Sequence, residues 1–387
     1  MFRYALSALC LMSSVTIASG SLWESPDWAV LGTLDGSVAY DSNLNLIHDG
    51  PSALLIVASP TLTLTRHNSE TDFEINGGTT ETEFADSNQP FETDISLGTH
   101  FSYPKADNTD PRGLIIIPIF ELSGSWLKSS QPNEFLGARV QNDLTTVTAD
   151  GYVTLTGKLG VRGSAKLQSI TYDETSLNDT YSGEAAIGLA YERTPETQIS
   201  LNIGTVLGHS KPNDPANSAS DIRSKEFDIT GRIQGQLTDK ITGSAYGGFG
   251  VVSYTGGYTN TNRLPVAGAD LTWGIDPRRT VVLAAYSGAE YSPNGEAADN
   301  SRAFISFTDV IIDNWQFIVR TGPSHNEYSR VVRLRTDNEW DYGMEFAYQP
   351  STRFRVFLSL NVAQHTSTIA AYQYNHEVVT LGATYHL

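Results

Sequence analysis

A single cysteine, Cys10, stands in 387 residues. Past it the chain has no thiol, so disulfides and cysteine-based metal or redox centres are excluded there. Missing too is any run of about 18 consecutive apolar residues, the length a spanning helix needs. Basic residues are scarce: 25 Lys and Arg against 43 Asp and Glu leave a formal charge of −18. A phosphate backbone repels such a chain, which excludes nucleic acid as a partner. Helix-period spacing of apolar residues is absent, and so is a Pro- or Ser-rich linker that would divide the chain into domains.

The first twenty residues, "MFRYALSALCLMSSVTIASG", place Arg3 before a short apolar run and Ala18 and Gly20 at the −3 and −1 positions of a cleavage site. This reads as a secretory signal peptide over 1–20, with a mature chain of 21–387. Leu9 stands where a lipoprotein signal needs a small residue, so Cys10 leaves with the signal. The protein then either leaves the inner membrane as a soluble chain or spans a membrane as strands.

What is present favours strands. Tyr 18, Phe 15 and Gly 33, with many Thr, suit pleated sheet. Tight-turn signals at Lys158, Pro195, Asp239, Pro277, Asn314 and Pro350 recur about every 40 residues, the length of two long strands with one short and one longer connection. Between them lie longer polar stretches: 173–183, 210–221, 256–263, 292–301 and 364–372. Upstream, "DSNLNLIHDG" and "EFADSNQP" read as loops, and "RHNSE" and "YPKADNTDPRG" as turns. Short turns on one rim and long loops on the other are the asymmetry of a bacterial outer-membrane barrel, with the short turns in the periplasm. The expected fold is all-β: a transmembrane up-and-down antiparallel β-barrel of about 18 strands, or 16 if two N-terminal stretches are not strands.

The strands alternate. In "DNEWDYGMEFAY" one face holds Trp340, Tyr342, Met344, Phe346 and Tyr348, the other Asp337, Glu339, Asp341 and Glu345. Stretch 226–237 sets Phe227, Ile229 and Ile233 against Glu226, Asp228, Thr230, Arg232 and Gln234. A half-buried soluble sheet alternates as well. Strands this long, with Trp28, Tyr40, Tyr191, Tyr254, Trp273, Trp315, Trp340 and Tyr348 near their ends, suit a bilayer and its two aromatic belts. The last residues, "VVTLGATYHL", alternate too. A barrel must pair its last strand with its first, so 374–387 is expected beside 28–41.

Two segments carry a family likeness. "AVLGTLDGSVAYDSNLNL" resembles the first strand and "YDSN" loop of the second family of β-barrel porins, outer-membrane proteins often found with exopolysaccharide biosynthesis and export systems. The C-terminal stretch from "RTDNEW" to "YNHEVVTLGATYHL" is similar to that family's end, although such barrels usually finish on Phe and this chain finishes on Leu387. The resemblance implies an outer-membrane pore of a Gram-negative-type bacterium. Its implied partners are outer-membrane lipid, the barrel-assembly machinery and polysaccharide export components.

Inward-facing charges are the candidate site. Asp341 and Glu345 share a strand, Arg353 and Arg355 lie on its neighbour, and Arg232 and Arg320 point the same way from other strands. Such charges pair across strands and keep the wall wet, or form a lining that sets what passes. No metal or cofactor is expected. None of the eight histidines has ligand spacing, most fall in turns or loops, and Asp107, Asp110 and Asp299 lack the pattern of a calcium loop. Ser69 lies two positions from His67, with no third group in view. The preferred function is a pore for polysaccharide or small hydrophilic solutes. The alternatives are a structural or adhesive barrel working through its loops and, less favoured, a barrel enzyme acting on lipid or peptide.

Overall fold

The computed structural model describes residues 21–387 apart from 69–70, 86–88, 104–118, 134–137, 195, 215–220, 257–259, 292–296, 313 and 329–334. The expected signal segment, "YPKADNTDPRG" from its proline onward, Asp107 and Asp110 lie outside the described residues.

A two-residue β1 (Trp23–Glu24) precedes β2 (Trp28–Asp41), β3 (Ala53–His67), β4 (Asp72–Ala85), β5 (Glu92–Tyr103), β6 (Ile119–Asn133), β7 (Ala138–Thr156), β8 (Leu159–Tyr172), β9 (Asn178–Thr194) and β10 (Thr197–Pro212). There follow β11 (Ile222–Thr238), β12 (Ile241–Thr255), β13 (Asn260–Asp276), β14 (Arg279–Tyr291), β15 (Ala297–Ile312), β16 (Trp315–Tyr328), β17 (Arg335–Ser351), β18 (Phe354–Ser367) and β19 (Tyr374–His386). Each strand from β2 onward pairs antiparallel with the next, and β19 pairs with β2, from Val378↔Asp41 to His386↔Thr33. The sheet is a closed barrel of 18 strands, with β1 lying along the start of β2. Closure satisfies the backbone of both terminal strands, and Leu387 extends it by donating its N–H to the Gly32 carbonyl at 2.8 Å.

Connections 157–158, 239–240, 277–278 and 352–353 are two residues long and share one rim, as do the two-residue gaps between β9 and β10 and between β15 and β16. The described loops 42–52, 173–177 and 368–373 stand on the other rim. Strands run further toward this rim than the sequence patterns suggest. Residues 178–183 belong to β9 and 364–367 to β18. Alternation fades where a strand rises into water, but its hydrogen-bond ladder continues. The structure also corrects the histidines: His67, His100, His209, His325, His365, His376 and His386 are strand residues, and His48 lies in a loop. At "QPSTR" the turn falls at 352–353, two positions beyond Pro350. Proline has no N–H for the ladder, and the register breaks between Tyr348 and Ser351 to accommodate it.

Outward positions are apolar and exposed. On β10 they are Ile199, Leu201, Ile203 and Leu207; on β17 Trp340, Tyr342, Met344 and Phe346; on β19 Val379, Leu381 and Tyr385. Trp315 stacks on Phe346 at 4.8 Å and lies 4.5 Å from Tyr348, and the Trp28 ring meets the Phe73 edge at 6.5 Å; both groups belong to the short-turn rim. Tyr254 is not in this belt. Its neighbours Val251 and Ser253 occupy the outward register, so its ring faces inward and is 1% exposed.

Candidate functional site: the barrel lumen

The inner wall has two unlike sides. On β2 to β6 it mixes hydroxyls with carboxylates: Ser37, Ser59, Thr61, Thr80, Ser96 and Ser123 stand on inward positions, and so do Asp35, Glu74, Glu92 and Asp94. Ser59 donates to Thr80 at 3.0 Å, and Ser123 meets His100 at 2.9 Å. From β7 onward the wall is charged and aromatic. Toward the loop rim, Glu184, Glu226 and Asp228 face inward on β9 and β11, with Lys166 on β8 at 3.5 Å from Glu184. One layer toward the short turns, Arg162 reaches the Gln234 amide oxygen and stands 3.6 Å from Asp150. Tyr152 donates to Glu192 at 2.8 Å, and these side chains border a recess of about 300 Å³.

Several long inward side chains lie along the wall instead of across the bore, because the facing residue is glycine. Tyr246 lies over Gly268, where a Cβ would stand 2.5 Å from the ring. Arg320 covers Gly343 in the same way and donates to Asn361, two strands away. Phe357 covers Gly382, and Asp228 covers Gly204.

The expected lining residues fall as follows. Arg232 faces inward and stacks over Tyr246 at 5.1 Å; Arg302, absent from the sequence reading, repeats this over Tyr286 at 5.1 Å. Arg355 pairs with Glu345 and covers Phe357 at 5.1 Å. Asp341 holds an inward register position on β17 between Gly322 and Ala363. Arg353 is the correction: the proline-driven shift puts it in the exposed 352–353 turn, at the rim and not in the lining. The same reading missed Arg162 and Lys166, although "LGVRGSAKLQ" alternates as clearly as the strands it used.

The mouth is narrowed from the loop side. Leu44, from loop 42–52, is buried against the inward residues Ala53, Phe84 and Leu55. Asn43 fastens this loop across the seam by donating to the carbonyls of Ile47 at 2.7 Å and Asn375 at 3.0 Å. Beside it is a buried ionic group. Arg335, 1% exposed, pairs with Asp337 at 2.5 Å and sits between the rings of Tyr328 (4.7 Å) and Tyr372 (3.7 Å). His365 lies 3.0 Å from Glu339 and 3.6 Å from Asp337, parallel to Tyr374 at 4.7 Å. Both imidazole nitrogens face carboxylates, so neither is placed to act as base toward a hydroxyl nucleophile. The group fastens the 368–373 loop to the inner wall.

A closed sheet that is apolar outside and polar inside satisfies a bilayer on one face and water on the other. The chain is an outer-membrane β-barrel. No family model matches it, and no curated protein does. Among solved structures the barrel is similar to the outer membrane protein OpdK of Pseudomonas aeruginosa, at 11% identity and a TM-score of 0.47, over 95% of this chain and 100% of that one. It is similar also to OccAB2 of Acinetobacter baumannii, at 9% identity and a TM-score of 0.48, over 93% of this chain and 98% of that one. A likeness of this degree assigns neither solute nor partner.

Proposed function

We propose that the barrel is a passive pore for small hydrophilic solutes. The observation that carries this reading is the lining: polar residues on the inner face, with the long side chains of Tyr246 and Arg320 laid flat over Gly268 and Gly343. Eighteen strands enclose a bore wide enough for water, and a bore kept clear in this way lets solutes through. The Glu184, Glu226 and Asp228 layer gives it a preference for cations. A finer reading is passage of polysaccharide, working with export components. The inward hydroxyls of β2 to β6 favour it, since sugar hydroxyls exchange hydrogen bonds with Ser and Thr, as does the resemblance at the two chain ends. Osmotic swelling of vesicles holding the purified barrel tests the pore. Swelling in isotonic monosaccharide, slowing as solute mass rises, supports it; vesicles as tight as protein-free controls overturn it. Block of the current by added glycan chains tests the finer reading separately.

A further inference from the structure

One patch of the outer wall has a charge opposite to that of the chain. On β10 the outward residues run Ile199, Leu201, Ile203, Leu207 and then His209. On β11 they run Ile233, Ile229, Phe227 and then Lys225 and Arg223, and on β13 Pro265 is followed by Arg263. In each case the change comes at the loop end of the apolar band. Register puts Arg223 opposite His209, Lys225 between Leu207 and Ser253, and Arg263 opposite Val251, so the cations share one small area. All three are exposed. Apart from a 3.9 Å approach of Arg223 to Asp221, they make no ion pair among the described residues. Elsewhere on the same rim the outward positions include Glu81 and Glu83 on β4 and the facing pair Asp299 and Glu327 on β15 and β16.

Below the cations the wall recedes. Gly231, Ala245 and Gly247 stand outward beside the facing pair Ile199 and Ile233 and form a shallow groove of about 350 Å³. A Cβ on Gly247 would touch nothing, and Phe249 stands beside the groove, 81% exposed.

We propose that this surface binds the phosphorylated headgroup of an outer-leaflet glycolipid, with an acyl chain in the groove. With the short turns in the periplasm, the loop rim meets the outer leaflet. The cations stand just past the last apolar outward residues, at the depth where headgroups begin. Arginine and lysine form charge-assisted hydrogen bonds to phosphate oxygens, and three of them serve one or two phosphates. A soluble polyanion is repelled by a chain of formal charge −18. It would also leave the groove and Phe249 without a partner, whereas an acyl chain fills the first and covers the second.

The test uses the full chain refolded in detergent and native mass spectrometry, with bis-phosphorylated lipid A as the probe. One lipid A is expected per barrel. Dephosphorylated lipid A should bind at least tenfold more weakly, and so should the R223Q/K225Q/R263Q variant toward the phosphorylated probe. That variant should still migrate as a heat-modifiable barrel. Lys128→Gln, at an outward position elsewhere on the same rim, should bind like the native chain. Equal binding by the triple variant, or equal binding of the dephosphorylated lipid, overturns the proposal. Full displacement by inorganic phosphate at the concentration of the lipid overturns it as well, because the site would then recognise phosphate alone.

Discussion

A lysine placed at two consecutive positions of β9 should have opposite consequences. Ile187 points outward and is 62% exposed. It is centred in the outward run from Gly183 to Tyr191, four residues from either end, or about 13 Å along the strand at 3.3 Å per residue. That is mid-depth of an apolar band about 25 Å tall, where a lysine costs about 2–4 kcal/mol. Ala186 points inward, in the row Ala186–Gly204–Asp228, with the Asp228 carboxylate lying over Gly204. A lysine there meets Asp228 and Glu184 in a wet lumen, which is worth about 0–1 kcal/mol in its favour. Ile187→Lys should therefore be less stable than Ala186→Lys by at least about 2 kcal/mol. Urea titration of the barrel folded into phospholipid vesicles, read by tryptophan fluorescence, measures the difference. Equal penalties, or a larger one for Ala186→Lys, would refute the assignment of inner and outer faces.

Other consequences are as direct. Deleting residues 384–387 removes the pairs Thr384↔Asp35, Tyr385↔Leu34 and His386↔Thr33 from the closing seam; the shortened chain should stay protease-sensitive in the periplasm and lose heat-modifiable migration on a gel. Arg335→Met should cost about 3–5 kcal/mol, because it strips a buried carboxylate of its partner; unfolding by urea and faster cleavage in the 368–373 loop report it. Gly268→Leu should push the Tyr246 ring into the bore and destabilise the barrel by about 1–3 kcal/mol through overpacking, with a smaller single-channel conductance as the second readout. An epitope inserted between Thr175 and Ser176 should be labelled on intact cells and one between Thr352 and Arg353 should not; the reverse pattern would invert the barrel in the membrane.

The wall of this barrel is written plainly in its sequence, because side-chain direction in a strand depends only on parity. Once Phe227, Ile229 and Ile233 are assigned to lipid, Glu226, Asp228 and Arg232 must face inward, and they do. Closure of β19 on β2 follows from the absence of edges in a membrane sheet and needs no long-range signal. Two features were less legible. Strand ends above the membrane lose apolar alternation, which hid the length of β9 and β18 and placed His365 in a loop. The ion group of Arg335, Asp337, Glu339 and His365 joins residues on two strands and depends on register. Register is fixed by the turn, and Pro350 moved that turn by enough to take Arg353 out of the lining. The flat placement of Tyr246 and Arg320 over glycines likewise depends on which residues oppose each other, not on the pattern within either strand.

The most direct test of the central claim is the current through single purified barrels in a planar bilayer bathed by a potassium chloride gradient. Ohmic unitary steps are expected, with a reversal potential on the cation-selective side that moves toward zero in the E184Q/E226Q/D228N variant. Barrels that insert and show heat-modifiable migration yet carry no current would contradict that claim.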